Sequence, residues 1–275
     1  MINLVKTSKR AYALSALSTI LFGLLVLTLH STPALSQPTI SKIDLLRKAN
    51  DAYYNLPQHG LKSFTAIVKP DWRLVLKSVL KSNPEKGEEA LRILDSIKFT
   101  FSFDSDQELK VEHHPEAPSI MGVVNYDALV HGTEKTVLGF FTSFKAMMCS
   151  APFPQSLDYD VEDSGDYIIR SEQSSVKSAV TMTKDLLIRK MVVNTPRFDA
   201  TMLPLFDKGP EGFLLNYMSA VYTVLGKDPV KVILSFDYTT VNGLQLPSAV
   251  RTSADSAPGQ AVNWTMSDYK ITKSK

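Results

Sequence analysis

Cysteine is almost absent from this chain: Cys149 stands alone among 275 residues. An intramolecular disulfide is excluded, so stability must come from packing. A lone thiol at the apolar end of a helical pattern reads as a buried, inert group. Catalytic signatures are missing too. The chain holds no G-x-S-x-G elbow, no Gly-rich phosphate loop and no H-E-x-x-H pair. No apolar run beyond residue 29 approaches membrane-spanning length. A charge excess is lacking once the amino terminus is set aside. Residues 1–36 carry three of the 30 cationic side chains and none of the 28 acidic ones. The rest of the chain is within one charge of neutrality, which gives no electrostatic case for nucleic acid or for an anionic membrane surface.

What the amino terminus does have is an export signal. Lys6, Lys9 and Arg10 precede the apolar run Ala11–Leu29, then Pro33 and the small-x-small triplet Ala34-Leu35-Ser36. A basic head, an apolar centre and small residues at the cut predict cleavage after Ser36 and a periplasmic or otherwise extracytoplasmic protein. The alternative is an uncleaved anchor, since the run is nearly long enough to span a bilayer. No cysteine succeeds the run directly, so there is no lipid-attachment site.

Beyond residue 36 the patterns place helices early and strands late. Ile43, Leu46, Ala49, Tyr53 and Leu56 fall at helical spacing over 40–56, with Ser41 as cap. Phe64, Ala66 and Val68 alternate along a strand over 61–69. Asp71 opens a helix over 72–80, and Asn83-Pro84 opens another carrying Ala90, Leu91 and Leu94. Ile97, Phe99, Phe101 and Phe103 then alternate strictly with polar residues, which gives one wholly apolar strand face. Asp104-Ser105-Asp106 turns into a partner strand over 108–113. A long helix over 126–150 ends in Val137, Leu138, Phe140, Phe141, Phe144, Met147 and Met148.

From Leu157 onward the chain reads as β. Turns fall at Asp163-Ser164-Gly165, Thr183-Lys184-Asp185, Asn242-Gly243 and Pro258-Gly259. They separate strands over 159–162, 167–172, 176–183, 186–194, 213–225, 230–239, 244–252 and 261–271; a helix is the alternative over 213–225. About ten hairpin-linked strands give an antiparallel sheet. The expected fold is α+β: an antiparallel meander forming an unclosed half β-barrel, helices over its concave face, in one domain over 37–275.

Few residues suggest chemistry. Glu112-His113-His114-Pro115-Glu116 is the one candidate metal cluster, yet neighbours in a strand face opposite ways, so His113 and His114 cannot easily share an ion. It reads as a polar strand end, and no metal or cofactor is expected. His59 and His131 read as structural or exposed. The acidic pairs Asp158/Asp160 and Glu162/Asp163 lie in or beside turns. Asn263-Trp264-Thr265 fits a glycosylation acceptor but is better read as strand. The apolar inventory is what stands out. Phe99, Phe101 and Phe103 on the strand and Phe140, Phe141, Phe144, Met147 and Met148 on the helix are core or, alternatively, the lining of an apolar ligand site.

Two segments carry a resemblance. The opening LLRKANDAYYNLPQHGLKSFTAIV (45–68) runs from helix straight into first strand. The closing VKVILSFDYTTVNGLQLPSAV (230–250) sets a strand, an Asn-Gly turn and a G-L-x-L-P segment in succession. The chain thereby resembles the periplasmic outer-membrane lipoprotein carriers and sorting proteins, the LolA/LolB-like superfamily. The resemblance implies no enzyme activity and a cavity for a hydrophobic ligand or lipoprotein acyl chains; membrane contact is expected only transiently or through an uncleaved signal. The chain departs from a minimal carrier in its extra helices after Trp72 and over 126–150. An alternative is a non-catalytic envelope interaction or sensing module whose half-barrel is filled by its own side chains.

Overall fold

The architecture comes from a computed structural model that describes residues 41–104, 109–118, 124–254 and 262–274. The segment expected to be an export signal lies outside the described residues, as do the turn residues Ser105, Asp106, Pro258 and Gly259. Among the described residues no helix is long and apolar enough to cross a membrane.

Twelve strands form one antiparallel sheet. They are β1 (Leu61–Pro70), β2 (Lys98–Asp104), β3 (Lys110–His114), β4 (Asp160–Ser164), β5 (Asp166–Gln173), β6 (Val176–Met182), β7 (Ile188–Asn194), β8 (Phe198–Gly209), β9 (Gly212–Val224), β10 (Val230–Val241), β11 (Leu244–Ala254) and β12 (Asn263–Lys273). Their order is β3-β2-β1-β12-β11-β10-β9-β8-β7-β6-β5-β4. β3 and β4 are the two edges, and the sheet does not close. Five helices accompany it among the described residues: α1 (Lys42–Asp51), α2 (Trp72–Val75), α3 (Lys77–Ser82), α4 (Pro84–Asp95) and α5 (Tyr126–Met148). The α+β class and the unclosed antiparallel meander thus stand.

Local chemistry sets the helix starts. Ser41 Oγ accepts from Asp44 N at 3.1 Å, Asp71 from Leu74 N at 3.1 Å, Asn83 from Lys86 N at 3.2 Å and Asn125 from Ala128 N at 2.9 Å. Each satisfies a donor that the first helical turn leaves open. The helix expected over 72–80 is two short ones, broken at Leu76, whose backbone (φ −88°, ψ 8°) leaves the helical region.

The chain divides into two compact units, Leu56–Ala146 with Phe236–Lys275 and Met147–Ser235 with the stretch ending at Asn55. The first is aromatic. β2 pairs with β1 from Ser63↔Asp104 to Val68↔Phe99, which sets Phe64, Ala66 and Val68 beside Phe103, Phe101 and Phe99 on one buried face. Tyr126, Val130, Val137, Phe140, Phe141 and Phe144 form a buried stripe along α5 at helical spacing.

The second unit buries Leu45, Ala49, Tyr53, Phe153, Tyr159, Ile169, Val180, Met182 and Ile188 together. Two of its segments are tied by backbone. Phe213 N donates to Ala52 O at 2.8 Å and Tyr54 N to Phe213 O at 3.0 Å. A Cβ on Gly212 would stand 2.8 Å from Ala52 O, and Gly212 takes φ +118°, so this approach requires glycine.

β8 answers to no expected strand. Pro204 interrupts its pattern, because proline cannot donate to a ladder and usually marks a strand's margin. It is tolerated because the β7–β8 register runs only from Met191↔Met202 to Asn194↔Asp199. Beyond Met202, β8 pairs on one side only, with β9, through Gly209↔Gly212. The stretch expected as strand or helix over 213–225 is strand as far as Val224.

Candidate functional site

The six predicted phenylalanines converge. Phe99, Phe101, Phe141 and Phe144 are fully buried, and Phe103 and Phe140 nearly so. Phe101 and Phe141 stack with centroids 3.8 Å apart and planes 20° from parallel. Phe64 stacks on Phe103 at 5.1 Å. Phe140 meets the indole of Trp264 edge-on at 5.3 Å and Phe236 at 5.4 Å. The strand face and the helix therefore contact each other directly, at the separations at which aromatic pairs attract. Phe64, Trp264 and Phe236 complete the cluster. Their inward phase in β1, β12 and β10 was the available signal for them. Met148 is buried and Met147 half-buried at the helix end; both belong to the other unit. Cys149 lies just past that end and is half-buried rather than buried.

A cleft of about 440 Å³ opens at the end of β1, beside α2, β11 and β12. Lys69, Trp72, Arg73, Asp95, Arg251 and Trp264 help line it, and none of the eight predicted residues does. Its arginines are neutralised: Arg73 Nη1 reaches Glu88 Oε1 at 3.0 Å, and Arg251 pairs with Asp237. The hydrogen bond from Arg251 holds the Asp237 carboxyl below the usual carboxylate range. The cleft is thus polar at its rim and carries no concentrated charge.

The polar strand end is more organised than its sequence suggests. Period two turns Val111 and His113 inward and leaves Lys110, Glu112 and His114 exposed. Asp127, His131 and Glu134 recur at i, i+4 and i+7 along α5, beside its apolar stripe. His113 Nδ1 lies 2.6 Å from Glu134 Oε1. The His131 ring stands at 78° to that of His113, centroids 5.8 Å apart, and contacts Asp127 at 3.2 Å. Among the described residues no group of three or more His, Cys, Asp or Glu is arranged to hold a metal ion.

Three of the four acidic residues singled out near the β4 turn, Asp158, Glu162 and Asp163, are occupied. Asp158 takes a hydrogen bond from Lys42 at 2.7 Å, Glu162 one from Arg170 at 2.8 Å, and Asp163 pairs with Lys184. Asn263 and Trp264 lie in β12, with Trp264 buried, as the strand reading requires.

Comparison with protein-family models, with curated proteins and with solved structures returned no significant match to the chain.

Proposed function

We propose that this protein is an exported, non-catalytic interaction module of the cell envelope, whose apolar sheet face is filled by its own helix α5. The Phe101–Phe141 stack at 3.8 Å supports this reading most directly: the strand face and the helix that could flank a ligand instead occupy each other. The paired carboxylates at the β4 turn and the neutralised arginines of the cleft leave none of these groups poised for acid–base work. Export rests on the basic head and the Ala34-Leu35-Ser36 triplet.

The test is a titration of the delipidated protein with a fluorescent fatty-acid probe. Absence of saturable binding is expected. Saturable binding that also raises the melting temperature would replace this reading with a second one, a carrier of lipid or acyl chains with α5 as its lid. The resemblance carried by the segment 230–250 favours that second reading. For export, amino-terminal sequencing of secreted material should begin at Gln37; an intact Met1 start on membrane-bound protein would overturn cleavage.

A further inference from the structure

Three buried side-chain atoms among the described residues make no hydrogen bond: Asn216 Oδ1, Trp264 Nε1 and His113 Nε2. The third belongs to an imidazole, whose second ring nitrogen can take up a proton. The His113 side chain is 8% exposed, and its Nδ1 is 2.6 Å from a carboxylate oxygen of Glu134. A carboxylate accepts, so the ring proton sits on Nδ1 and the neutral ring turns a bare lone pair at Nε2 into a buried site with no donor. Glu116 Oε2 stands 3.5 Å from that nitrogen, outside hydrogen-bonding distance and within ion-pair reach. Its side chain is 93% exposed, so it can close the gap without disturbing any packing.

We propose that His113 is a pH-operated latch between edge strand β3 and helix α5. A second proton on Nε2 converts the unpaired acceptor into a donor and draws Glu116 onto it. The imidazolium then bridges Glu134 of the helix and Glu116 of the segment after β3. From α5 the His131 ring also faces it, and Asp127 engages His131. From β2 the His113 ring meets Phe99, at 6.0 Å. Lys98 and His114 pair on the opposite face of the sheet. Acid therefore closes the latch. It releases when that proton is lost as the pH is raised, which frees the last residues of an edge that no other described strand pairs.

Hydrogen–deuterium exchange of the whole protein at about pH 5 and about pH 8 tests this. Rates are corrected for intrinsic chemistry and expressed relative to β1. Peptides covering 110–118 should exchange roughly fivefold more slowly at the lower pH. Glu116→Gln, at an exposed position that leaves the fold intact, should abolish the difference. Glu112→Gln, on the outward face of the same strand, should retain it. An unchanged wild-type rate, or slowing that persists in Glu116→Gln, would overturn the proposal.

Discussion

The two units are built on different core chemistries. In the first, phenylalanines from β1, β2, α5 and β10 pack with Trp264. The second is mostly aliphatic and is organised by the hydroxyl of Tyr53. That hydroxyl donates to Leu186 O at 2.8 Å and accepts from Ile188 N at 2.6 Å, bridging the β6–β7 turn. Phenylalanine gives area and stacking but no polar handle, so the first unit leaves the Trp264 indole N–H without a hydrogen bond. Tyrosine gives less apolar area and satisfies backbone groups a turn would otherwise strand. The first unit should therefore fail by loss of volume, the second by loss of single hydrogen bonds.

The largest expected effect is in the aromatic unit. Phe101→Ser removes the ring stacked on Phe141 and puts a hydroxyl into a fully buried site, a loss of about 3–5 kcal/mol. Urea unfolding gives the magnitude. Hydrogen exchange locates it, with protection falling in β1, β2 and α5 before β5–β7. A loss below about 1 kcal/mol would mean that the face borders open space, and would count against the self-filled reading.

Tyr53→Phe keeps the ring contacts with Phe206 at 5.0 Å and Phe213 at 5.3 Å but deletes both hydrogen bonds. About 1–3 kcal/mol should be lost, because a buried N–H and C=O are left unpaired. The same hydroxyl gives an alkaline signature. Burial pushes the Tyr53 and Tyr159 phenols well above their ordinary range and that of Tyr222 up to about 12. A raised folded value contributes stability that is complete below the unfolded value, about 10, and is lost as pH rises towards the folded one. All three tyrosines lie in the second unit, against two in the first, Tyr126 and Tyr269, whose phenols burial also holds above the ordinary range. Alkaline titration monitored by tyrosinate absorbance should therefore loosen β5–β9 first, and less steeply in Tyr53→Phe.

A smaller effect attends Asn50. Its Nδ2 donates to Phe153 O and its Oδ1 accepts from Phe153 N, both at 2.8 Å, so one side chain stands in for a strand pair. Asn50→Ala should cost about 1–2 kcal/mol by thermal unfolding. Asn50→Asp keeps the acceptor and should fall between.

These contrasts were unequally legible in the sequence. The period-two run Ile97–Phe103 and the buried stripe of α5 are local patterns, and they emerged where expected. So did the Asn242-Gly243 turn, whose φ values of 52° and 80° are those a two-residue hairpin demands. Whether the two apolar faces met or flanked a space was not legible, because periodicity gives a face and not its partner. Tyr53 read as one more helical position; its hydroxyl partners lie more than 130 residues away. β8 was hidden by Pro204, whose tolerance depends on where a neighbouring strand stops pairing. His113 and Glu134 come together only through the packing of α5 on the edge of the sheet.

The smallest expected effect also separates the units, through surface ion pairs. Hydrogen bonds from Lys42 and Lys184 hold the carboxyls of Asp158 and Asp163 below the usual range in the second unit; Arg251 does the same for Asp237 in the first. A depressed folded value contributes stability that is present above the unfolded value, about 3.9, and is lost as pH falls through the folded one. All three pairs are exposed, so each matters little and salt screens it. The second unit holds two of them and should soften first as pH drops below about 4. Its exchange protection at low pH should be the more sensitive to added salt. Replacing Lys42 and Lys184 together by Gln removes both of the second unit's pairs and should leave the first unit, which keeps Arg251–Asp237, the slightly more acid-sensitive of the two. A second unit that still softens first after the double replacement would place the acid response in the cores, and the contrast between the units would then rest on tyrosine alone.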